Sequence, residues 1–350
     1  MPEQEGLMRK NVVFAFYSRI FPSDSQGHLN LIFHKDGLFR HEDDVATPSR
    51  RLCPVDDLDW DVQELSLITY AFPSVLMRFI MHPSIVGEYA PPEYLVSATT
   101  DHAAIKDSIV IVHKSLLIAG GIPQLLDLKK RNNILLFDIL DFPQERAEPF
   151  FPFMDGLILC SHKAYAQYEA LSRITVPFFY LTHCIDTRIP LRTGSLDHFS
   201  ALYHGSQENM LYYPSLPRLL DIAFCYASQT PQKVWLEKTL AANFFYALRP
   251  PETTTLAKPF QKGFTAAQLD ANILIHRDDG DALYFLGEDY PYMIHEEPTE
   301  EVVWRYMKMA EKDFGGPRWH KGLEILRTLR LHYARETIGQ EFWDIIGHFS

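Results

Sequence analysis

A chain of 350 residues exceeds what one hydrophobic core usually serves, so it predicts two domains and excludes a small disulfide scaffold. With 47% hydrophobic and 22% charged residues the composition is that of an ordinary globular protein, and no run of about 18 uninterrupted apolar residues could span a membrane. Asp and Glu number 45 against 33 Lys and Arg, a net charge of −12; such an acidic envelope argues against nucleic acid as a partner, because phosphate-backbone binding needs a clustered cationic surface.

The head MPEQEGLMRK carries no apolar signal segment, so the cytoplasm is the expected compartment. Val12–Phe16 (VVFAF) is a β-branched and aromatic run that reads as a buried opening strand. Residues 17–60 are rich in Pro, Gly, Asp and His and resist assignment, whereas 61–81 reads as a helix interrupted near Pro73. Four apolar runs of strand length follow: Ser108–His113, Asn133–Phe137, Gly156–Cys160 and Val176–Tyr180. Helical stretches around 116–130 and 162–172 separate them. Continuous apolar strands alternating with helices are what a parallel sheet covered on both faces requires, so the fold class is α/β, doubly wound.

Residues 182–200 lose this rhythm and gain turn formers. A second α/β series then begins at Ala201–His204, with a helical stretch near 215–226, a strand at 243–248, a helix at 261–270 and a strand at 272–275. From Glu300 onward the chain reads as helices divided by Gly315, Gly316 and Pro317, one of them spanning LEILRTLRLHYARETI. The cysteines Cys53, Cys160, Cys184 and Cys225 form no CxxC pair and are expected to be reduced and mostly buried.

In open α/β sheets ligands bind beyond the carboxyl ends of the strands, so the residues to weigh follow each strand. Gly205 and Ser206 open a turn whose backbone N–H groups can approach an anion, though an ordinary tight turn would look the same. Lys258 and Lys262 stand just before and within the first turn of the 261–270 helix. Cations there oppose the helix dipole unless an anion is shared between them and the helix N-terminus; two solvated surface lysines are the plainer reading. Arg249, ending strand 243–248, is a third cation on that side. Asp278, Asp279, Gly280 and Asp281 suit a helix-capping turn better than a calcium loop, which would need further ligands. Asp138 and Asp141, at the end of a buried strand, suit a general base, a hydroxyl acceptor or a helix cap; His113, Lys114, Asp24 and His28 are placed likewise. No GxGxxG, GxxxxGK[ST], GxSxG or HExxH motif occurs.

Four stretches together resemble a GT-B glycosyltransferase, a sugar-nucleotide-dependent enzyme with two facing Rossmann-like domains. They are DGLILCSHKAYAQY (155–168) with VPFFYLTHCID (176–186), YHGS (203–206), KPFQKGFTAAQLDANILI (258–275), and the tail after 300, which resembles helices crossing back over the N-terminal domain. The resemblance covers residues from about 108 to the end. It implies an acceptor-side domain at 1–185, a linker at 186–200, a nucleotide-sugar donor domain at 201–325 and crossing helices at 326–350. By the same resemblance Lys258, Lys262 and Arg249 hold the donor diphosphate, with Gly205, Ser206, Asp279 and Gly280 beside it. The lysines then stabilise the departing diphosphate in place of a metal, and no cofactor beyond the nucleotide-sugar donor is implied. The acceptor would be a glycan, a lipid-linked molecule or a protein. Retaining members often carry Glu-x7-Glu around the donor helix; the corresponding helix start here is Thr265, with no such pair, and retention or inversion stays open. If the enzyme inverts, Asp141, Asp24 and His28 are the candidate bases. Two other readings are compatible with the residues: a non-catalytic two-domain protein that binds a ligand or partner, and a sugar-nucleotide epimerase. Peripheral contact with the inner face of a membrane through residues 61–95 is also left open.

Overall fold

The parallel sheet expected from the apolar runs is present, and the reason is visible strand by strand. In β6 (Ser108–His113) all six residues are buried, which is possible only where both faces of a strand are covered. The computed structural model describes residues 10–16, 30–34, 37–40, 52–53, 77–171, 174–194, 196–224, 230, 232–251 and 257–350. By internal contacts the chain divides into two units, one made of residues up to 160 with 165–184 and 335–350, the other of residues 161–164 and 185–334.

In the first unit β1 (Lys10–Ala15) lies between β5 (Tyr94–Thr99) and β6, and β7 (Ile134–Asp138), β8 (Gly156–Leu159) and β9 (Phe178–Tyr180) extend the sheet in parallel. On the β5 side three further strands, β2 (Asn30–His34), β3 (Gly37–Arg40) and β4 (Leu52–Cys53), add antiparallel pairing. Residues 17–60 and the run YLVSAT had given no strand expectation. Helix α1 (His82–Glu88) follows a π-helical turn, Met77–Met81; residues 61–76 of the expected helix lie outside the described residues. Helix α2 (Lys114–Lys130) bends at Gly121, whose φ of +57° is open to glycine, two residues before the helix-breaking Pro123. Helix α3 (His162–Glu169) links β8 to β9.

The second unit is a five-stranded parallel sheet in the order β11 (Asp221–Phe224), β10 (Ala201–Gly205), β12 (Phe244–Tyr246), β13 (Asn272–His276), β14 (Met293–Ile294). Helices α4 (Gln232–Leu240), α5 (Gln261–Gln268) and α6 (Ala282–Leu286) make the crossovers, and α7 (Glu300–Asp313) and α8 (Pro317–Thr328) follow. The helical expectation at 215–226 is wrong: a single 3-10 turn, Leu216–Arg218, precedes β11. Pro217 suits only a first turn, and the next residues satisfy their backbone groups against Leu202–Gly205 of β10.

The stretch LEILRTLRLHYARETI is not one helix. It ends as α8 at Thr328, passes through a 3-10 turn at Leu329–Leu331 and resumes as α9 (Arg335–Gly347). The division follows burial. Leu323, Leu326, Leu329 and Tyr333 sit in the second unit's core, whereas Ile338, Phe342, Ile345 and Ile346 sit in the first unit's. Phe342 stacks on Phe14 at 5.7 Å. Among the described residues no helix is long and apolar enough to cross a membrane. Cys160 and Cys184 are buried free thiols.

Candidate functional site

The cations singled out from the sequence meet in one pocket of the second unit. Its lining includes Arg249, Lys258, Lys262, Asp279 and Gly280, with Phe260 and Gly263. Two connections that follow strand ends supply them: the one from β12 through the first turn of α5, and the turn after β13. This is the carboxyl edge of a parallel sheet, where crossovers leave room for a ligand.

Lys258 reaches across to the turn after β10: its Nζ donates to Asn209 Oδ1 at 2.5 Å, and Asn209 Nδ2 donates in turn to Ser206 Oγ. Ser206 is therefore tied to Lys258 through an asparagine that no sequence motif had singled out. Lys262 lies with its ammonium 4.1 Å from the centroid of the Tyr203 ring. Arg249 Nη1 is 2.9 Å from Asp279 Oδ1, both side chains being largely buried. Arg249 Nε and Nη1 and Asp279 Oδ2 nevertheless have no hydrogen-bond partner among the described residues.

Two glycines that line the pocket, Gly263 and Gly280, and Gly205 beside Lys262 stand where a side chain would collide. Gly280 has φ +53°, and a Cβ on it would stand 2.9 Å from the carbonyl oxygen of Lys258. Gly263 lies against the Phe260 ring, 1.9 Å from where its Cβ would be. Phe260 itself stacks on Phe285 at 5.1 Å. Gly205, at φ +145°, would place a Cβ 3.1 Å from Tyr203 Oη and 3.3 Å from Lys262 Cε. His204, beside it on β10, is fully desolvated and also feels Lys262, so its pKa falls to about 3 and the ring is neutral.

Asp281 precedes α6 as the capping reading expected, but its side chain makes no capping hydrogen bond to that helix and serves the start of α3 instead. Its carboxylate accepts from Ser161 Oγ at 2.9 Å and from the backbone N–H groups of His162 and Lys163 at 2.9 and 2.8 Å, all within the second unit. Among the described residues no group of three or more His, Cys, Asp or Glu is arranged to hold a metal ion.

The candidate bases have different fates. Asp24 and His28 lie outside the described residues. Asp141 is described: it follows Leu140, whose φ is +53°, and its carboxylate pairs with Lys114. Asp138 is engaged by Arg78, which donates from Nε at 2.8 Å and from Nη2 at 2.9 Å. Around this buried pair stand three histidines. Burial first, then the charge of Arg78, lowers the pKa of His82 and that of His183, the latter to about 3. His113 is lowered too, by burial and then Lys114. It caps α2, its Nδ1 accepting from the Ser115 N–H.

Sequence reasoning reached the cations and two of the glycines. It missed Tyr203, Asn209, Phe260 and Gly263. Asn209 lies three residues after Ser206 and Gly263 follows Lys262 directly, so both were within reach; the Tyr203–Lys262 contact had no signal, since it joins residues 59 positions apart, counted from their numbers.

No family model and no curated protein matches this sequence. Solved structures are similar in fold. Anabaena Alr3699/HepE in complex with UDP-glucose matches with a TM-score of 0.53 at 9% identity, covering 97% of this chain and 99% of that one. The same protein in complex with UDP gives 0.51 at 10% identity, covering 97% and 100%. The pneumococcal O-GlcNAc transferase GtfA in complex with UDP and GlcNAc matches at 0.49 and 9% identity over 69% of this chain. This chain spans about half the length of GtfA (56%) and of S. aureus TarM (55%). At such identities the likeness speaks for architecture, and it agrees with the two parallel sheets and their crossovers: the chain has the α/β, Rossmann-like GT-B fold.

Proposed function

We propose that this chain is a glycosyltransferase that moves a sugar from a nucleoside diphosphate sugar to an acceptor hydroxyl. The single observation carrying the proposal is the convergence of Arg249, Lys258 and Lys262 on one pocket at the carboxyl edge of the second sheet, beside the N-terminus of α5. A diphosphate answers that arrangement: three cations stand against the single carboxylate of Asp279, and its oxygens can accept from Arg249 Nε. The fold neighbour crystallised with UDP-glucose supports this reading.

In the reaction the bond between the anomeric carbon and the diphosphate oxygen breaks, and a bond from that carbon to the acceptor oxygen forms. Lys258, Lys262 and Arg249 stabilise the negative charge that develops on the leaving diphosphate, so no metal ion is required there. They are preorganised for this by Asn209, Tyr203 and Asp279 respectively. Gly205, Ser206 and Gly280 keep the backbone close to the phosphates. The acceptor proton passes to a base. Asp141, whose carboxylate pairs with Lys114, is the candidate among the described residues; Asp24 and His28 are the other two. Glycans, lipid-linked sugars and proteins are the acceptor classes to screen.

The test is a thermal-shift screen of UDP, GDP, ADP and CMP and their sugar conjugates against the wild type and a Lys258→Ala/Lys262→Ala variant. A ligand present at a hundredfold excess over its Kd stabilises the folded chain by about 2.7 kcal/mol. The expected result is a rise in Tm with one nucleoside diphosphate that disappears in the double variant, followed by sugar release from the matching conjugate. No shift with any nucleotide overturns the proposal in favour of a non-catalytic binding protein. Turnover of the conjugate to an isomeric sugar nucleotide without transfer would identify an epimerase instead.

A further inference from the structure

Lys262 occupies the second position of α5, where an ammonium opposes the partial positive charge of the helix N-terminus. Its carbon chain and ammonium run beside Gly205 towards the Tyr203 ring. An aromatic face carries negative quadrupole density, which attracts a cation most strongly where water is excluded. Tyr203 is fully buried, and the Lys262 ammonium is buried with it.

The ring is itself fixed. Tyr203 Oη donates to the Ser206 carbonyl at 2.5 Å, and the ring packs edge-on against Tyr246 and Phe224 at 6.2 Å each. Gly205 completes the arrangement, since any Cβ there would press on both Tyr203 Oη and Lys262 Cε. Strand β10 thus presents a fixed aromatic face at Tyr203 and, two residues on, Gly205 without a side chain, and Lys262 lies over both.

We propose that Tyr203 is a positioning residue: its ring face holds the Lys262 ammonium at the pocket before any ligand arrives, and so prepares the site for a diphosphate. The proposal rests on the diphosphate reading of this pocket. Tyr203 acts through Lys262 and makes no bond to the ligand. What it contributes is preorganisation, because an ammonium on a flexible four-carbon stem otherwise loses its rotamer freedom when the anion binds.

The experiment is a calorimetric titration of the full chain with inorganic pyrophosphate, a probe that carries the shared chemistry whatever the nucleobase. Lys262→Met should weaken binding at least tenfold. Tyr203→Leu should weaken it about three- to thirtyfold, the range of a desolvated cation–π contact, and Tyr203→Phe, which keeps the ring, should stay within about twofold of wild type. In the Lys262→Met background Tyr203→Leu should have no further effect, because the interaction it removes is already gone. Should Tyr203→Leu fail to fold, fluorinated phenylalanines at position 203 drain the ring face at nearly constant shape, and affinity should fall stepwise with each fluorine. Tyr203→Leu binding like wild type, losses that multiply in the double variant, or affinity indifferent to fluorination would each overturn the proposal. Lys262→Met binding pyrophosphate like wild type would instead overturn the diphosphate reading at Lys262, and the role of Tyr203 with it.

Discussion

Among the described residues each unit has an Arg–Asp pair at the carboxyl edge of its sheet, and the two pairs are built differently. Asp138 ends β7 and receives Arg78 through two hydrogen bonds at 2.8 and 2.9 Å, with the side chains 1% and 4% exposed. Asp279 follows β13 and meets Arg249 at a single contact of 2.9 Å, with the side chains 11% and 3% exposed. Three polar atoms of that second pair have no hydrogen-bond partner among the described residues. The first arrangement uses two guanidinium donors and both carboxylate oxygens on each other, leaving Arg78 Nη1 as its one atom without a hydrogen-bond partner among the described residues. The second leaves donors and an acceptor at a pocket lined by two lysines. The same two residue types are therefore a structural lock in one unit and part of a receptive site in the other, and geometry alone separates the roles.

The largest expected effect breaks the lock. Asp138→Ala leaves the Arg78 guanidinium buried without its partner and should lower stability by about 3–5 kcal/mol in denaturant titration. Arg249→Ala should cost less than half of that, since its side chain is partly exposed, yet it should weaken nucleoside diphosphate binding, which Asp138→Ala, where folded, should not.

Acid sharpens the comparison next. His183 and His204 have folded pKa values of about 3, against an ordinary value near 6.5. The unfolded chain therefore takes up protons that the folded chain refuses. Their contribution to stability is complete above about pH 6.5 and is lost as the pH falls towards 3. The slope should be about 1.4 kcal/mol per pH unit for each histidine. His82 and His113 are lowered as well and act in the same direction. Denaturant titrations between pH 7 and 4 read the slope. Arg78→Met should flatten it through His183, because the Arg78 charge is the second cause of that shift after burial.

Gly263→Ala should destabilise the second unit by about 1–3 kcal/mol, the usual range for overpacking, because the Phe260 ring fills the place of its Cβ. Binding of UDP should weaken along with stability, since Phe260 lines the pocket. The smallest effect is expected at Lys114→Ala. Its pair with Asp141 is partly exposed, so the loss should stay below about 1 kcal/mol. If Asp141 is the base, the variant should also slow transfer, as the carboxylate loses the partner that positions it.

Most of the architecture was legible as runs of apolar residues. Strands β6, β7, β8, β10 and β13 were placed within a residue or two because a strand buried on both faces leaves a continuous apolar signature. Strand β11 was not, since Asp221–Phe224 lies at the sheet edge, with one exposed and two half-buried residues, and its leucine-rich approach imitates a helix. The break after Thr328 was hidden for a different reason: the apolar spacing of 323–338 suits a helix, and nothing local says that its two halves serve different cores.

What the sequence determined by itself was the class of fold and the charge of the site. Binary patterning is local, and cations at the start of a helix oppose its dipole wherever that helix comes to lie. Only the tertiary structure decided which partners those charges have. Asn209 with Lys258, Tyr203 with Lys262, Asp279 with Arg249 and Arg78 with Asp138 are pairs 30 to 60 positions apart by their numbers, brought together by parallel crossovers. Whether an arginine is locked or ready depends on distances and angles that no spacing along the chain encodes.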